Sequence, residues 1–279
     1  MCPSSNHKGS EPIRRRCRTG AVQLRVRREL LKIADSLGLR SSLARGRDEL
    51  VAMLTQVRSD PVFGRNDLDD KHLRYFLSFA LKRDSNCLDV GAHKGLFLND
   101  FRRVAPNGHH IAYEPLPHLY QQLVERFPEM DIRQRALSDT DGVSTFVHVQ
   151  DEPAYSGIDS HTYPPEMSTE TITVQTERLD DHLPEGWSPS FVKIDVEGTE
   201  GLVIRGAMDI LRSAKPVVAF EHGWGGGDHF GISDQDVYSL LCDDVGLRLF
   251  NMDGRGPLDF EQFKDELATG ERWNWLAHQ

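Results

Sequence analysis

Phe191-Val192-Lys193-Ile194-Asp195-Val196-Glu197-Gly198 reads as a buried strand that ends in two carboxylates and a glycine. Apolar residues at 191, 192, 194 and 196 suit a strand covered on both faces. Asp195 and Glu197 stand two apart at its carboxyl end, so on a strand they share a face. Open α/β sheets bind their ligands at the carboxyl ends of strands. Acids placed there are candidates for chemistry.

The neighbourhood continues the same rhythm. A helix carrying Val203, Ala207, Ile210 and Leu211 leads to another apolar strand, Val217-Val218-Ala219-Phe220, which ends in Glu221-His222. Upstream, Cys87 to Val90 reads as a short strand, followed by a helix marked by Phe97, Phe101 and Val104. His110 to Tyr113 is a second strand. Pro117 can open the next helix, with Leu116, Tyr120, Leu123 and Phe127 facing inward. Ile132 to Ala136 predicts a third strand, and 142–176 is β-rich, with short strands expected at 143–149 and 171–176. Downstream, Ser233 and Asp236 form a capping-box pattern before a helix carrying Val237, Leu241 and Val245. Leu247–Phe250 and Trp273–Leu276 are the expected last strand pair. Such β/α alternation predicts a mostly parallel sheet with helices on both faces.

Three amphipathic patterns precede the first strand: Leu30, Ile33, Ala34 and Leu37; Leu50, Met53, Leu54 and Val57, ended by Pro61; and Leu73, Phe76, Leu77 and Ala80, with Asp69 or Asp70 as cap. The organisation expected is a disordered basic tail over 1–20, a helical extension over 21–83 and one α/β domain over 84–279. Residues 1–65 carry 14 Lys and Arg against 6 Asp and Glu, whereas the remainder carries 19 against 37, so the acidic body is a poor partner for nucleic acid. No run approaches the roughly 18–20 apolar residues of a membrane span. The first 20 residues lack the apolar core of a secretory leader. Four scattered cysteines form neither a Cys-x-x-Cys pair nor a disulfide framework. A cytoplasmic protein is the expectation, with a homo-oligomer left open.

Asp89-Val90-Gly91-Ala92-His93-Lys94-Gly95 sits at a strand-to-helix junction. Glycines there allow close backbone approach to a ligand. An acid at the strand end repels phosphate and suits a ligand bearing an amino group and hydroxyls. The stretch lacks the third glycine of a dinucleotide fingerprint and the Lys-Ser/Thr of a phosphate loop. Glu114 ends the next strand, 25 residues after Asp89, about where an acid meets ribose hydroxyls in doubly wound nucleotide folds.

Asp89 to Gly95, Tyr113-Glu114-Pro115, Ala136-Leu137-Ser138-Asp139 and Phe191 to Gly201 together resemble the FkbM-type family of S-adenosylmethionine-dependent methyltransferases, over about residues 84–225. Val192 to Glu200 is the most specific part. The resemblance implies the class I methyltransferase fold, a Rossmann-like seven-stranded sheet with a reversed last hairpin. It implies O-methylation of hydroxyls on small-molecule, sugar (glycan), lipid or polyketide-like acceptors. Carried over, Asp89, Gly91 and Gly95, with His93 between them, line the methionine part of the cofactor. Glu114 holds the ribose diol, and Leu137, Ser138 and Asp139 lie near adenine. Ser156, in Tyr155-Ser156-Gly157-Ile158, falls in a segment the family places near the active site.

The residues allow more than one chemistry. Asp195, Glu221 and His222 end adjacent strands and can act as general base toward a hydroxyl or ligate a divalent cation that lowers its pKa. In the plainer reading Glu221 pairs with Lys193 and His222 caps a loop. Glu197 shapes the turn or contacts the acceptor. Trp224-Gly225-Gly226-Gly227 reads as an aromatic-walled lid or as a simple connection. A nicotinamide-dependent oxidoreductase and an inactive scaffold of the same fold are the alternative classes.

Overall fold

The fold is that of a computed structural model, which describes residues 61–149, 157–158, 169–196, 198–223 and 231–279. The expected helices at 30–37 and 50–57 lie outside these residues, as do the tail, Ser156, Glu197 and Trp224.

Seven strands form the main sheet: β1 Cys87–Val90, β2 Ile111–Tyr113, β3 Asp131–Arg133, β8 Phe191–Ile194, β9 Val217–Glu221, β10 Arg248–Asn251 and β11 Asn274–His278. Their order is β10-β11-β9-β8-β1-β2-β3. Five are mutually parallel from β3 to β9, and β11 runs antiparallel to both β9 and β10. A second, four-stranded sheet has the order β4-β7-β5-β6, built from β4 Ala136–Ser138, β5 Gly142–Val149, β6 Gly157–Ile158 and β7 Thr169–Arg178. The single strand expected over 132–136 is therefore two, with a break at Gln134 and Arg135. Ile132 packs in the main sheet's core, while Ala136 and Leu137 turn into different apolar clusters.

Helices cover both faces of the main sheet. On one lie α1 Pro61–Ala80, α2 Leu96–Val104 and α3 Pro117–Arg126, packing Leu73, Leu77, Phe97, Phe101, Leu123 and Phe127 against Phe191 and Ala219. On the other, a larger cluster joins Val192, Ile194, Val218, Phe220 and Trp275 to Val203, Leu211, Val237 and Phe263. It is covered by α5 Glu200–Arg205, α6 Met208–Ala214, α7 Asp234–Tyr238 and α8 Phe260–Ala268; the short α4 is Leu179–His182. One expected helix is thus split at Gly206. A Cβ there would stand 2.0 Å from the Ser138 carbonyl oxygen, so the chain can pass β4 only without a side chain. The capping box is present, with Ser233 accepting from the Asp236 amide and Asp236 accepting from the Ser233 amide. After α7 the helix widens into a π-turn over Ser239–Asp244.

Two expectations change on the α1–α3 side. Pro61 opens α1, so Asp69 and Asp70 lie mid-helix and cap nothing. Leu119, not Tyr120, is the buried residue of the first turn of α3. α8 is an element beyond those expected. Its Asp259–Gln262 capping box is a legible signal, but only Phe263 along it is buried, which leaves a faint apolar stripe.

Candidate functional site

The site arises from strand register. β8 lies between β1 and β9, pairing Lys193 with Asp89 and Ala219, and Ile194 with Val90 and Phe220. One step beyond Ile194, the chain places Gly91, Asp195 and Glu221 side by side, and β11 adds Asn274 opposite Glu221. Alternation along the strands sends all of these toward α1 and α2. A cavity of about 160 Å³ opens there, lined by Asp89, Lys193, Asp195, Glu221 and Asn274, by Gly91 to Lys94 with Leu96 and Phe97, and by Asn66 and Asp70 of α1.

The electrostatics centre on Lys193. Its Nζ donates to Asp195 Oδ2 at 2.7 Å and lies 5.1 Å from the centroid of the Phe97 ring. Burial works to lower its pKa, but Asp195 and Asp89 outweigh burial and raise it well above the ordinary lysine value. Burial likewise pushes Asp195 toward the neutral form, yet Lys193 and a hydrogen bond from Glu221 hold it below the usual carboxylate range. Two carboxyls in hydrogen-bond contact share one proton. The ion pair with Lys193 makes Asp195 the anionic partner.

Asp89 is buried, and its Oδ1 has no hydrogen-bond partner. Burial raises its pKa to about 6, against the pull of Lys193. Glu114 is also buried and accepts from the His93 amide at 2.8 Å and the Leu116 amide at 2.9 Å, one on each oxygen. Desolvation pushes it up to about 7 despite those two bonds. The His93 ring lines the cavity with a buried, unpartnered Nε2, and burial lowers its pKa. Ser138 and Asp139 lie at the end of β4, with the Ser138 hydroxyl donating to Asp139 Oδ1 at 3.4 Å, while Leu137 is part of the larger core. These three lie outside the cavity lining.

Gly91 is required by geometry. Its φ is +80°, and a Cβ would stand 1.9 Å from the Asp195 carbonyl oxygen. The Gly91→Ala protein is expected to lose about 3 kcal/mol of stability or more, from overlap plus left-handed strain. Urea denaturation measures this, and a wild-type midpoint would contradict it. Gly95 has φ +72° at the start of α2, where a side chain would enter Phe127 and Leu123.

His222 does not join the cluster. It stands one residue past Glu221 and so faces the opposite side of the sheet. There its Nε2 meets Asp234 Oδ1 at 2.8 Å, and its ring stacks on Phe263 at 6.0 Å. Its backbone carbonyl accepts from the Trp275 indole at 3.0 Å. The expectation of Asp195, Glu221 and His222 converging on a hydroxyl or a divalent cation is corrected accordingly: two of the three converge. Lys193 bonds Asp195, two residues on in the same chain segment. Among the described residues, the group spaced to hold a cation is Asp69, His72 and Asp253. Arg65 and Arg272 already bridge it, Arg65 reaching both Asp69 and Asp253.

Sequence reading misses Asn66, Asp70 and Asn274 as site residues. Asp70 is visible as an acid three residues before the apolar stripe of α1, but that position fits a cap equally well. Glu200 is also easily underread: buried, it accepts from the Gly198 amide at 3.0 Å and the Val196 amide at 3.3 Å and fixes the turn after β8.

A seven-stranded sheet with one reversed strand near its edge, carrying acids at the ends of β1, β2 and β8, defines the class I methyltransferase fold. A family model described as the methyltransferase FkbM domain matches residues 89–249. The chain belongs to the FkbM methyltransferase family. No curated protein sequence matches it. Among solved structures it is similar to the methyltransferase FkbM of Methylobacillus flagellatus KT, at 14% identity and TM-score 0.45, over 71% of this chain and 44% of that one. The chain therefore spans less than half the length of that protein. It is also similar to a TehB-like SAM-dependent methyltransferase of Corynebacterium glutamicum, at 13% identity and TM-score 0.39, over 85% and 97% of the two chains. Fibrillarin of Aeropyrum pernix, solved with natively bound S-adenosyl-L-methionine, matches at 13% identity and TM-score 0.38, over 71% and 67%. Among the described residues, no helix is long and apolar enough to cross a membrane.

Proposed function

We propose that this protein transfers a methyl group from S-adenosylmethionine to a hydroxyl of a small-molecule, glycan or lipid acceptor. The observation that carries the reading is the row Gly91–Asp195–Glu221–Asn274 at the strand ends, beside a buried Asp89 whose Oδ1 lacks a partner. An orphaned buried acceptor calls for a donor, which the amino group of the cofactor's methionine part supplies. The Gly91 turn leaves room that a side chain would fill. In this reading Asp89, Gly91, His93 and Gly95 hold the methionine part. Glu114 takes the ribose hydroxyls on its remaining lone pairs, and Leu137 to Asp139 border adenine.

When bound, S-adenosylmethionine supplies the electrophilic methyl: the acceptor oxygen forms the new C–O bond as the C–S bond breaks, and sulfur keeps the electron pair. The protein's residues do the rest. Asp195 accepts the hydroxyl proton as the oxygen attacks, acting as general base. Lys193 keeps Asp195 ionised and oriented, and Glu221 adds a hydrogen bond to it. Phe97 and Leu96 give the cavity an apolar side beside the reacting face. His222 orients the end of β9 through Asp234 and does not touch the acceptor.

Calorimetry with S-adenosylmethionine, S-adenosylhomocysteine and NAD tests the cofactor. Binding of the first two without an NAD signal is expected; the reverse would favour the oxidoreductase. The buried acids add a pH signature. Donors from the cofactor favour the ionised forms of Glu114 and Asp89, whose free-enzyme pKa values are raised to about 7 and about 6. Binding should therefore release protons below pH 7, and affinity should rise with pH across about 5.5–7.5. Measured in buffers of different ionisation enthalpy, a proton uptake would contradict the assignment.

A further inference from the structure

We propose that Asn66 and Asp70 of α1 form the acceptor-recognition wall of the active site and select an uncharged, hydroxyl-bearing acceptor over acidic or basic ones. The proposal rests on the methyl-transfer reading above. The two residues are one helical turn apart and share a face. Both line the cavity that holds Asp89, Lys193, Asp195 and Glu221. They lie outside residues 89–249, the part matched by the family model. The reaction chemistry thus comes from the sheet, and the opposing wall from a segment outside the family-matched domain.

α1 is fixed firmly enough to serve as a wall. Arg65 donates to both oxygens of Asp253, at 3.1 and 2.8 Å, and Arg74 Nε donates to the buried Asp100 at 2.6 Å. His72 bonds the Met252 carbonyl at 3.0 Å, and the Asn274 amide donates to Asn66. Leu73 and Leu77 anchor the inner side of the helix in the core.

The charge pattern decides what this wall accepts. Asp70, Asp89, Asp195 and Glu221 surround a buried cation, Lys193, which Asp195 already occupies. A hydroxyl donates to Asp70 and accepts from the Asn66 amide, so a neutral acceptor satisfies both. An acidic acceptor would set its anion against Asp70 and the Asp195–Glu221 pair. A basic one would compete for Asp195 with the Lys193 ammonium, 2.7 Å away. Desolvation raises Asp70 to about 6, opposed by Lys193 and reinforced by Asp195, so a donating hydroxyl relieves an acid that water reaches poorly.

The test uses the full chain, methyl-labelled S-adenosylmethionine and an extract of the native cells separated by ion exchange into neutral, acidic and basic pools. Label is expected in the neutral pool. Asp70→Asn and Asn66→Ala should raise the apparent KM for that pool about tenfold to a hundredfold, as loss of a charged or neutral hydrogen bond implies. Affinity for S-adenosylhomocysteine should stay within about twofold, which also reports a folded variant. Asp70→Asn should in addition raise labelling of the acidic pool relative to the neutral one. Wild-type label in the acidic or basic pool, or in no pool, overturns the proposal. So do variants with wild-type KM, or variants whose S-adenosylhomocysteine affinity falls in step with turnover. Failure of the wild type to bind S-adenosylhomocysteine would instead sink the methyl-transfer reading itself.

Discussion

Asp195→Asn enzyme is expected to lose methyl transfer by about a hundredfold or more while binding S-adenosylhomocysteine normally. Asparagine keeps the shape of the side chain but takes no proton. The acceptor hydroxyl would then have to attack while still protonated, or release its proton to water without a positioned base. Glu221→Gln should cost far less, on the order of tenfold, because its amide still donates to Asp195. This asymmetry comes from Lys193, which holds Asp195 as the anionic member of the pair. Single-turnover rates with labelled cofactor measure both variants. Equal losses would mean that the base is the pair and not Asp195. Near-normal turnover in Asp195→Asn would remove the base assignment altogether.

Lys193→Met is expected to cost stability, about 3–5 kcal/mol at pH 8, because it strands buried carboxylates without their counter-ion. Lys193 is the register partner of Asp89 and the hydrogen-bond partner of Asp195, and Asp70 also feels its charge. The pH dependence distinguishes this from a simple packing defect. Without the ammonium, burial carries the folded-state pKa of Asp195 from below its unfolded value to above it, and raises that of Asp89 further. The folded state then holds more protons than the unfolded one, so stability falls as pH rises through that window. In the wild type, Asp89 shifted from 3.8 to about 6 already gives such a slope between those values. In the variant the slope should steepen and extend upward, making the deficit larger at pH 8 than at pH 5. Urea melts at both pH values give the comparison, and an equal deficit at each would contradict the electrostatic account.

Most of the main sheet is legible because its strands are buried on both faces and read as short apolar runs, broken by Asp89 and Lys193 and ended by Glu221. Cys87–Val90, Phe191–Ile194 and Val217–Glu221 are of this kind. The second sheet is harder: residues 142–176 read as two strands, but nothing local shows that Ala136–Ser138 leaves the main sheet to join them. The pairing of β4 with β7 spans about forty residues of chain, and no short window carries it.

The candidate site divides along the same line. Asp89, Gly91, Glu114 and Asp195 are readable because each sits at the carboxyl end of a recognisable strand. His222 is misplaced by sequence reading because its proximity to Glu221 conceals a reversal of face: successive residues of an extended chain point to opposite sides. Lys193 reads in sequence only as a partner for Glu221. Its burial against Phe97 and its bond to Asp195 depend on α2 and on strand register. Asn66, Asp70 and Asn274 come from α1 and from the last strand, far from the motif in sequence.

By itself, then, the sequence determined the strand ends and the glycine turn, because hydrophobic periodicity and backbone freedom are local properties of the chain. Tertiary structure alone decided which of the acids meet, which one stays ionised and what faces them. Those depend on the register of β1, β8, β9 and β11 and on the docking of α1, where distances of a few ångströms between remote residues set the charge balance.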